Sequence, residues 1–314
     1  MLKGIIDYLI IDLKLDFNHA VRVDTYPGFV LRSVLGWQLK RMHCVMRDSP
    51  CENCPFSSTC AYAFIFESII PKTTASLQGR DRASHPFRIW TDAIPGSIIK
   101  SLELHITLFG RARDYLPHVV YAFREAAATG LFKARTPAVL SSVMIEGQEI
   151  LHGDRLLLHD LPPKKIELDV DKKDSLEKIL IINCLTPLRF KTDGHYSVDF
   201  SGPAFVSSCL RRTFTMFEQY GHLDLNAQES LLQALRLGKE STYPIIPERY
   251  LRWVEFSHYS GRQKDSMQLG GVMGHFRLEG EASNLSWQAI ELSTTLGAGK
   301  NCSFGFGNIS IENT

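Results

Sequence analysis

No run of about 18 apolar residues occurs anywhere in the chain, so no segment reads as a membrane-spanning helix. An excess of either charge is missing too: 35 lysines and arginines face 34 aspartates and glutamates, for a net charge of +1. Without a global field, any polyanion site must come from a local cluster of cations. The opening MLKGIIDYLIIDLKLDF lacks the unbroken apolar core of a secretory leader, because Asp7, Asp12 and Lys14 interrupt it. The expectation is a cytoplasmic protein with no membrane partner. In such a reducing compartment the seven cysteines are not expected to form a disulfide framework.

What is present is enough for two cores. The chain has 314 residues, 44% of them hydrophobic, and a prior of ~150 residues per domain gives two domains. In the first half, YLIIDLKLDF alternates like a strand. PGFVLRSVLGWQLKRMH then spaces Phe29, Val30, Ser33, Val34, Trp37 and Met42 along one helical face, opened by Pro27. SLELHITLFG reads as a strand, YLPHVVYAFREAAATG as a helix stopped by Gly130, and AVLSSVMIEGQEIL as a strand or hairpin. The charged DVDKKDSLEK has no apolar face and marks a boundary, giving domains over residues 1–173 and 174–314. Beyond it come the strand KILIINCLTPLRF, the helix PAFVSSCLRRTFTMFEQYG and the strand pair LRWVEFSHYS and MQLGGVMGHFRLEG. The helix LSWQAIELSTTL and the strand CSFGFGNISIE close the chain. That order, βαββαβ, predicts an α+β architecture of tandem ferredoxin-like (RRM-like) domains.

Four cysteines cluster in CVMRDSPCENCPFSSTC, an insertion over residues 44–60. Cys44, Cys51, Cys54 and Cys60 offer soft thiolates at short loop spacing, which suits tetrahedral zinc and also an iron–sulfur cluster. Structural zinc is the expectation, since nothing else in the sequence suggests electron transfer. Cys184, Cys209 and Cys302 are scattered and read as packing residues.

Residues 296–309, LGAGKNCSFGFGNI, concentrate Gly297, Gly299, Gly305 and Gly307 around Lys300 and Asn301. Backbone N–H groups and one ammonium could converge there on phosphate oxygens, although a tight helix-to-strand connection reads equally well. The stretch follows a helix and enters a strand, so it matches neither the GxxxxGK[ST] phosphate loop nor the dinucleotide fingerprint. Arg211 and Arg212 in the helix, Arg262 and Lys264 in the turn after Tyr259, and Lys300 could together form a local basic track for a polyanion, with independent surface charges as the other reading. Tyr259, Phe304 and Phe306 are the available stacking groups.

Trp253, Tyr259, Ser260, Arg262 and Gln263, then Met267, Leu269, Gly270 and Gly271, then Gly299, Lys300, Phe304, Gly305 and Gly307 follow one another in a distinctive order. In that order the chain resembles the CRISPR-associated endoribonucleases of the RAMP superfamily that process CRISPR repeat transcripts. LTPLRFKTDG, LRRTF, LFGRARDYLP and the cysteine segment ahead of AYAFIFE extend the likeness to the subgroup with a four-cysteine loop. Many relatives in that subgroup carry a histidine two residues before the Gly-Lys pair, where this chain has Gly297.

The resemblance implies metal-independent cleavage of CRISPR repeat RNA to mature guide RNAs. A 2′-hydroxyl attacks phosphorus, the 5′-oxygen leaves, and a 2′,3′-cyclic phosphate remains on a product that can stay bound. It places an acid or base at the end of the first helix, where His43 stands, although beside Cys44 that residue also reads as a spare metal ligand or a helix-end cation. By position, Tyr26 ahead of the helix and Lys40 within a turn of His43 are the assisting groups. His19 also precedes that helix, and His275 is the reserve from the second domain. His85, His105 and His118 sit in apolar contexts and read as structural. Other CRISPR effector subunits are the implied protein partners. The competing expectation is a non-catalytic guide-RNA-binding subunit of an effector complex.

Overall fold

The computed structural model describes residues 3–69, 83–158, 163–169, 175–236, 243–260 and 265–313. It divides into two compact units, one over Asp7–Lys164 and the other over Lys165–Thr314 together with Met1–Ile6. The boundary expected at residues 173–174 lies outside the described residues. No helix among the described residues is long and apolar enough to cross a membrane.

The first unit runs β1 (Lys3–Arg22), α1 (Pro27–His43), β2 (Phe87–Trp90), β3 (Ile98–Phe109), α2 (Leu116–Thr129) and β4 (Ala138–Ile145). The sheet order β2-β3-β1-β4 is antiparallel throughout and gives the βαββαβ ferredoxin-like arrangement. Alternation in β1 buries Leu9, Ile11, Leu13, Leu15 and Phe17 on the face that meets the helices. The sequence reading missed β2, which has four residues and is too short to show a period. It caught only part of the core face of α1: Phe29 is buried and Val30, Val34 and Met42 pack against the core. Leu31, Leu35 and Leu39 are buried, while Trp37 is 56% exposed. Gly130 ends α2 at a positive φ of 105°, and its N–H donates to the Ala126 and Ala127 carbonyls.

The second unit runs β5 (Ser175–Leu188), α3 (Gly202–Tyr220), α4 (Leu225–Arg236), β6 (Arg249–Ser260), β7 (Asp265–Ser283), α5 (Asn284–Leu296) and β8 (Ile309–Asn313). Its sheet, ordered β6-β7-β5-β8, repeats the same topology. The tandem ferredoxin-like architecture is therefore present in full, with α4 as an unexpected addition after α3. Ser201 and Ser283 cap α3 and α5 by accepting the N–H of Ala204 and Ser286. Phe205 meets Phe276 edge to face at 5.1 Å, and the fully buried Trp287 donates its indole N–H to the Leu176 carbonyl at 2.8 Å. The opening residues join this unit, Gly4 and Ile5 pairing with Leu223 and His222.

Candidate functional site

In the first unit the chemistry gathers where α1 ends. His43 is the last helical residue and Cys44 its C-cap, whose N–H donates to the Lys40 carbonyl. A tight turn follows over Cys51–Asn53, and the N–H groups of Cys54, Ser57 and Cys60 donate to carbonyls three or four residues back. These turns fold the insertion on itself. His43, Cys44, Cys51, Cys54, Phe56 and Cys60 consequently line one cavity of about 20 Å³. Burial first, then Cys44, Cys60 and Glu52, push the Cys51 thiol above its ordinary range, with Lys40 acting in the opposite direction.

The donor set suits a thiophilic ion, and all four cysteines line one cavity. Among the described residues, however, no three or more His, Cys, Asp or Glu side chains are drawn into the tight group that a bound ion would have. Cys184, Cys209 and Cys302 are buried, and burial pushes the Cys184 and Cys209 thiols up to about 12, so these two act as apolar packing.

His43 is half-buried and packs against His118 of α2, with ring centroids 4.7 Å apart. Tyr115 lies edge-on to His118 at 5.7 Å. Burial, and then the charge of His118, hold the His43 pKa below the ordinary histidine value. His43 Nε2 and His118 Nδ1 are shielded from solvent and have no hydrogen-bond partner among the described residues. The sequence reading classed His118 as structural. Its only signal was a single histidine in the apolar YLPHVVYAF, and contact with His43 requires the packing of α1 on α2.

Lys40 is exposed one turn before His43. Tyr26 does not join them. It is the N-cap of the same 17-residue helix, so it stands about 25 Å along the axis from His43 at 1.5 Å per residue. Its ring is buried against Phe29. One phosphate cannot be served by both ends of α1, which removes Tyr26 as a partner of His43.

In the second unit the glycine-rich connection turns back on the end of β5. The N–H groups of Ala298 and Gly307 donate to the carbonyls of Gly307 and Pro187, and Lys300 N–H donates to the Arg189 carbonyl at 2.7 Å. Gly299 and Gly307 have φ of 73° and 70°. A Cβ on Gly299 would stand 2.4 Å from the Arg189 oxygen, and one on Gly307 would stand 1.9 Å from the Ala298 oxygen. The close approach that these glycines permit is therefore to the chain's own backbone. Gly297, Gly305 and Phe306 also donate to carbonyls of the chain, so these N–H groups do not converge on a phosphate. Lys300 is exposed and Asn301 half-buried in the left-handed region, whereas Phe306 is 1% exposed and unavailable for stacking.

Arg212 is likewise not a surface cation. It is buried, and its Nε and one terminal nitrogen donate to the Leu296 carbonyl at 3.1 and 2.9 Å. Arg211 is exposed. Arg262 and Lys264 lie outside the described residues, as does the Tyr259 side chain. The sequence reading also passed over the hairpin of Lys191–Thr192 with His195–Tyr196, where the Arg189 guanidinium lies 3.6 Å from the Tyr196 ring centroid.

Gly307→Ala should cost about 2–4 kcal/mol, since a side chain there is strained by its φ and meets a backbone oxygen. Denaturant unfolding checks this, and unchanged stability would show that the connection is loosely packed.

Two family models match the chain. Residues 6–162 match the AF_1859_N N-terminal domain, and residues 182–309 match the CRISPR-associated endoribonuclease Cas6. An uncharacterized protein of Archaeoglobus fulgidus is 26% identical over 294 residues, covering 91% of this chain and 92% of its own. Among solved structures, a Cas6 product complex superposes with a TM-score of 0.57 at 16% identity, covering 97% of this chain and 100% of that one. Thermus thermophilus Cas6 gives a TM-score of 0.51 at 14% identity, covering 98% and 99%. A partial Cas6-RT-Cas1–Cas2 complex gives 0.53 at 11% identity and covers all of this chain but 47% of that one. At these identities the superpositions speak for the fold. Residues 182–309 thus carry a domain that matches the CRISPR-associated endoribonuclease Cas6, and the chain as a whole has the tandem fold of the Cas6 structures.

Proposed function

We propose that this protein cleaves CRISPR repeat transcripts to mature guide RNAs, without metal in the reaction, and holds the product. The observation that carries the reading is the Cas6 domain over residues 182–309. The likeness to a Cas6 product complex supports retention of the cut RNA, and the likeness to a Cas6-RT-Cas1–Cas2 complex supports assembly with other CRISPR proteins.

In the reaction, the 2′-oxygen bonds to phosphorus as the bond from phosphorus to the 5′-oxygen breaks, and a 2′,3′-cyclic phosphate forms. The hydroxyl proton must leave and the departing oxygen must gain one, while charge builds on the equatorial oxygens. His43 is the proton-transfer residue, and Lys40, one turn away, is the cation for the developing charge. Lys300 and Arg211 contact the RNA backbone, and Gly297, Gly299, Asn301, Gly305 and Gly307 set where Lys300 stands. Cys44, Cys51, Cys54 and Cys60 hold a single structural zinc. Zinc is preferred to an iron–sulfur cluster because nothing else in the chain suggests electron transfer. The zinc ties the insertion to the end of α1 and takes no part in catalysis.

The second reading, a non-catalytic guide-RNA-binding subunit, draws on Gly297, which replaces a histidine common in the subgroup, and on the shielded Nε2 of His43. Incubation with cognate repeat RNA in EDTA separates the two. Cyclic-phosphate ends establish the nuclease, and tight binding without cutting establishes the subunit.

His43→Ala should slow single-turnover cleavage about 100- to 10,000-fold and leave RNA affinity nearly intact, as removal of a proton-transfer group does. Cleavage close to wild type by the folded variant would take His43 out of the mechanism. Elemental analysis should find about one zinc per chain, and Cys54→Ser should lower stability while surviving folded protein still cuts. Metal-free protein of undiminished stability would end the zinc assignment. Lys300→Ala should weaken RNA binding and reduce the slope of log K against log salt by about 0.9 or less, the share of one released counterion. An unchanged slope would confine Lys300 to the connection itself.

A further inference from the structure

The solvent face of the second sheet carries a feature that the cleavage reading does not use. In β6, β7, β5 and β8, Tyr250, His275, Asn183 and Ser310 stand in register on one rung across all four strands. Tyr250 and His275 are cross-strand partners with ring centroids 5.0 Å apart and planes at 32°. Tyr250 is 65% exposed, so this aromatic surface is open and not part of the core. Beside it lies a cavity of about 320 Å³ lined by Ile179, Ile181, Glu248, Tyr250, His275 and Arg277.

The chemistry of the cavity selects its occupant. Ile179 and Ile181 form an apolar floor, and Tyr250 with His275 forms a flat aromatic wall. Arg277 is already balanced, with Glu279 at 2.7 Å and Glu248 at 3.4 Å. A phosphate would face two carboxylates and one neutralised guanidinium, which is unfavourable. A planar base, by contrast, can stack on the ring and offer amino groups to the exposed Glu248 carboxylate. The volume suits one nucleoside, and an open sheet face admits an unpaired strand more readily than a duplex whose bases are stacked inside.

We propose that this sheet face is a stacking platform for an unpaired nucleotide of bound RNA, with Tyr250 as its principal contact and His275 supporting the ring. The inference rests on the RNA-binding part of the proposed function. It adds a contact whose energy comes from stacking, whereas Lys300 contributes through counterion release.

The test is fluorescence anisotropy with labelled single-stranded oligoadenylate and a labelled RNA hairpin duplex, using the full chain. Tyr250→Ala should weaken single-strand binding about 5- to 100-fold, the range for loss of one base–aromatic stack, with the salt slope unchanged. Tyr250→Phe should retain most of the affinity, and duplex binding should not move. Equal single-strand affinity for wild type and Tyr250→Ala, an equal loss on the duplex, or no binding by the wild type would each overturn the proposal. A measurement on the unaltered chain guards against a variant that misfolds. Photocrosslinking of a 4-thiouridine-containing oligonucleotide should map to the strands bearing Tyr250 and His275, and crosslinks confined to other segments would overturn the assignment. Repeat-RNA cleavage is scored separately. A chain that stacks RNA but never cuts retains this platform and loses the nuclease, and a chain that cuts with no role for Tyr250 does the reverse.

Discussion

A buried guanidinium fixes the geometry of the second unit. Arg212 sends two N–H groups from the interior of α3 to one carbonyl, that of Leu296, at the end of α5. A cation without a carboxylate partner is costly to bury, but the end of a helix offers unsatisfied carbonyls and about half a negative charge. The contact holds the last turn of α5 against α3, so the chain must leave the helix at Gly297. From there the backbone meets Arg189 through Gly299 and Lys300 and returns past Pro187 through Gly307. The exposed position of Lys300 follows from this sequence of contacts. Arg212, expected from sequence in the basic track, acts upstream of that track by placing the loop.

The glycines show how far a sequence can be read and where reading stops. Their density signals a backbone held at close quarters, and the structure has that close approach. The partner, though, is a carbonyl of the same chain. Nothing local to residues 296–309 distinguishes an oxygen on Arg189 from an oxygen on a phosphate, because the partner lies more than a hundred residues away. The cysteines were more legible. Their spacing of six, two and five residues, with prolines in the turns, brings four cysteines to line one cavity, without drawing three or more of them into a tight group among the described residues. His118 was illegible because its meaning comes from α1 packing on α2. The separation of Tyr26 from His43, on the other hand, was present in the residue count: a helix of 17 residues cannot bring its two ends to one atom.

Secondary structure divided in a similar way. Long elements with a clear period, such as β1 and the strands of the second sheet, were readable, and the tandem βαββαβ order followed from them. β2 failed on length. The core face of α1 was read only in part for a different reason: the helix has apolar residues on two sides. Phe29, Val30, Val34 and Trp37 make one stripe and Leu31, Leu35 and Leu39 another. Only the sheet decides between them. It takes the leucines and leaves Trp37 outside, where Arg41 lies over its ring at 5.2 Å.

The near-zero net charge then bears on the proposed RNA binding. A strongly basic protein can bind polyanions through its field, and its affinity collapses as salt rises. Here cations are repeatedly balanced by carboxylates, as Arg41 is by Glu125 and Arg277 by Glu248 and Glu279, while Arg212 is spent on a helix end. Each cation engaged in this way is withdrawn from contact with phosphate, and with no global field the electrostatic part of the affinity must come from local groups. Shape and stacking then add selectivity, since both require the RNA to present unpaired bases or a defined fold. In the proposed function, near-neutrality removes the nonspecific attraction that would hold any duplex alike and leaves discrimination to local contacts.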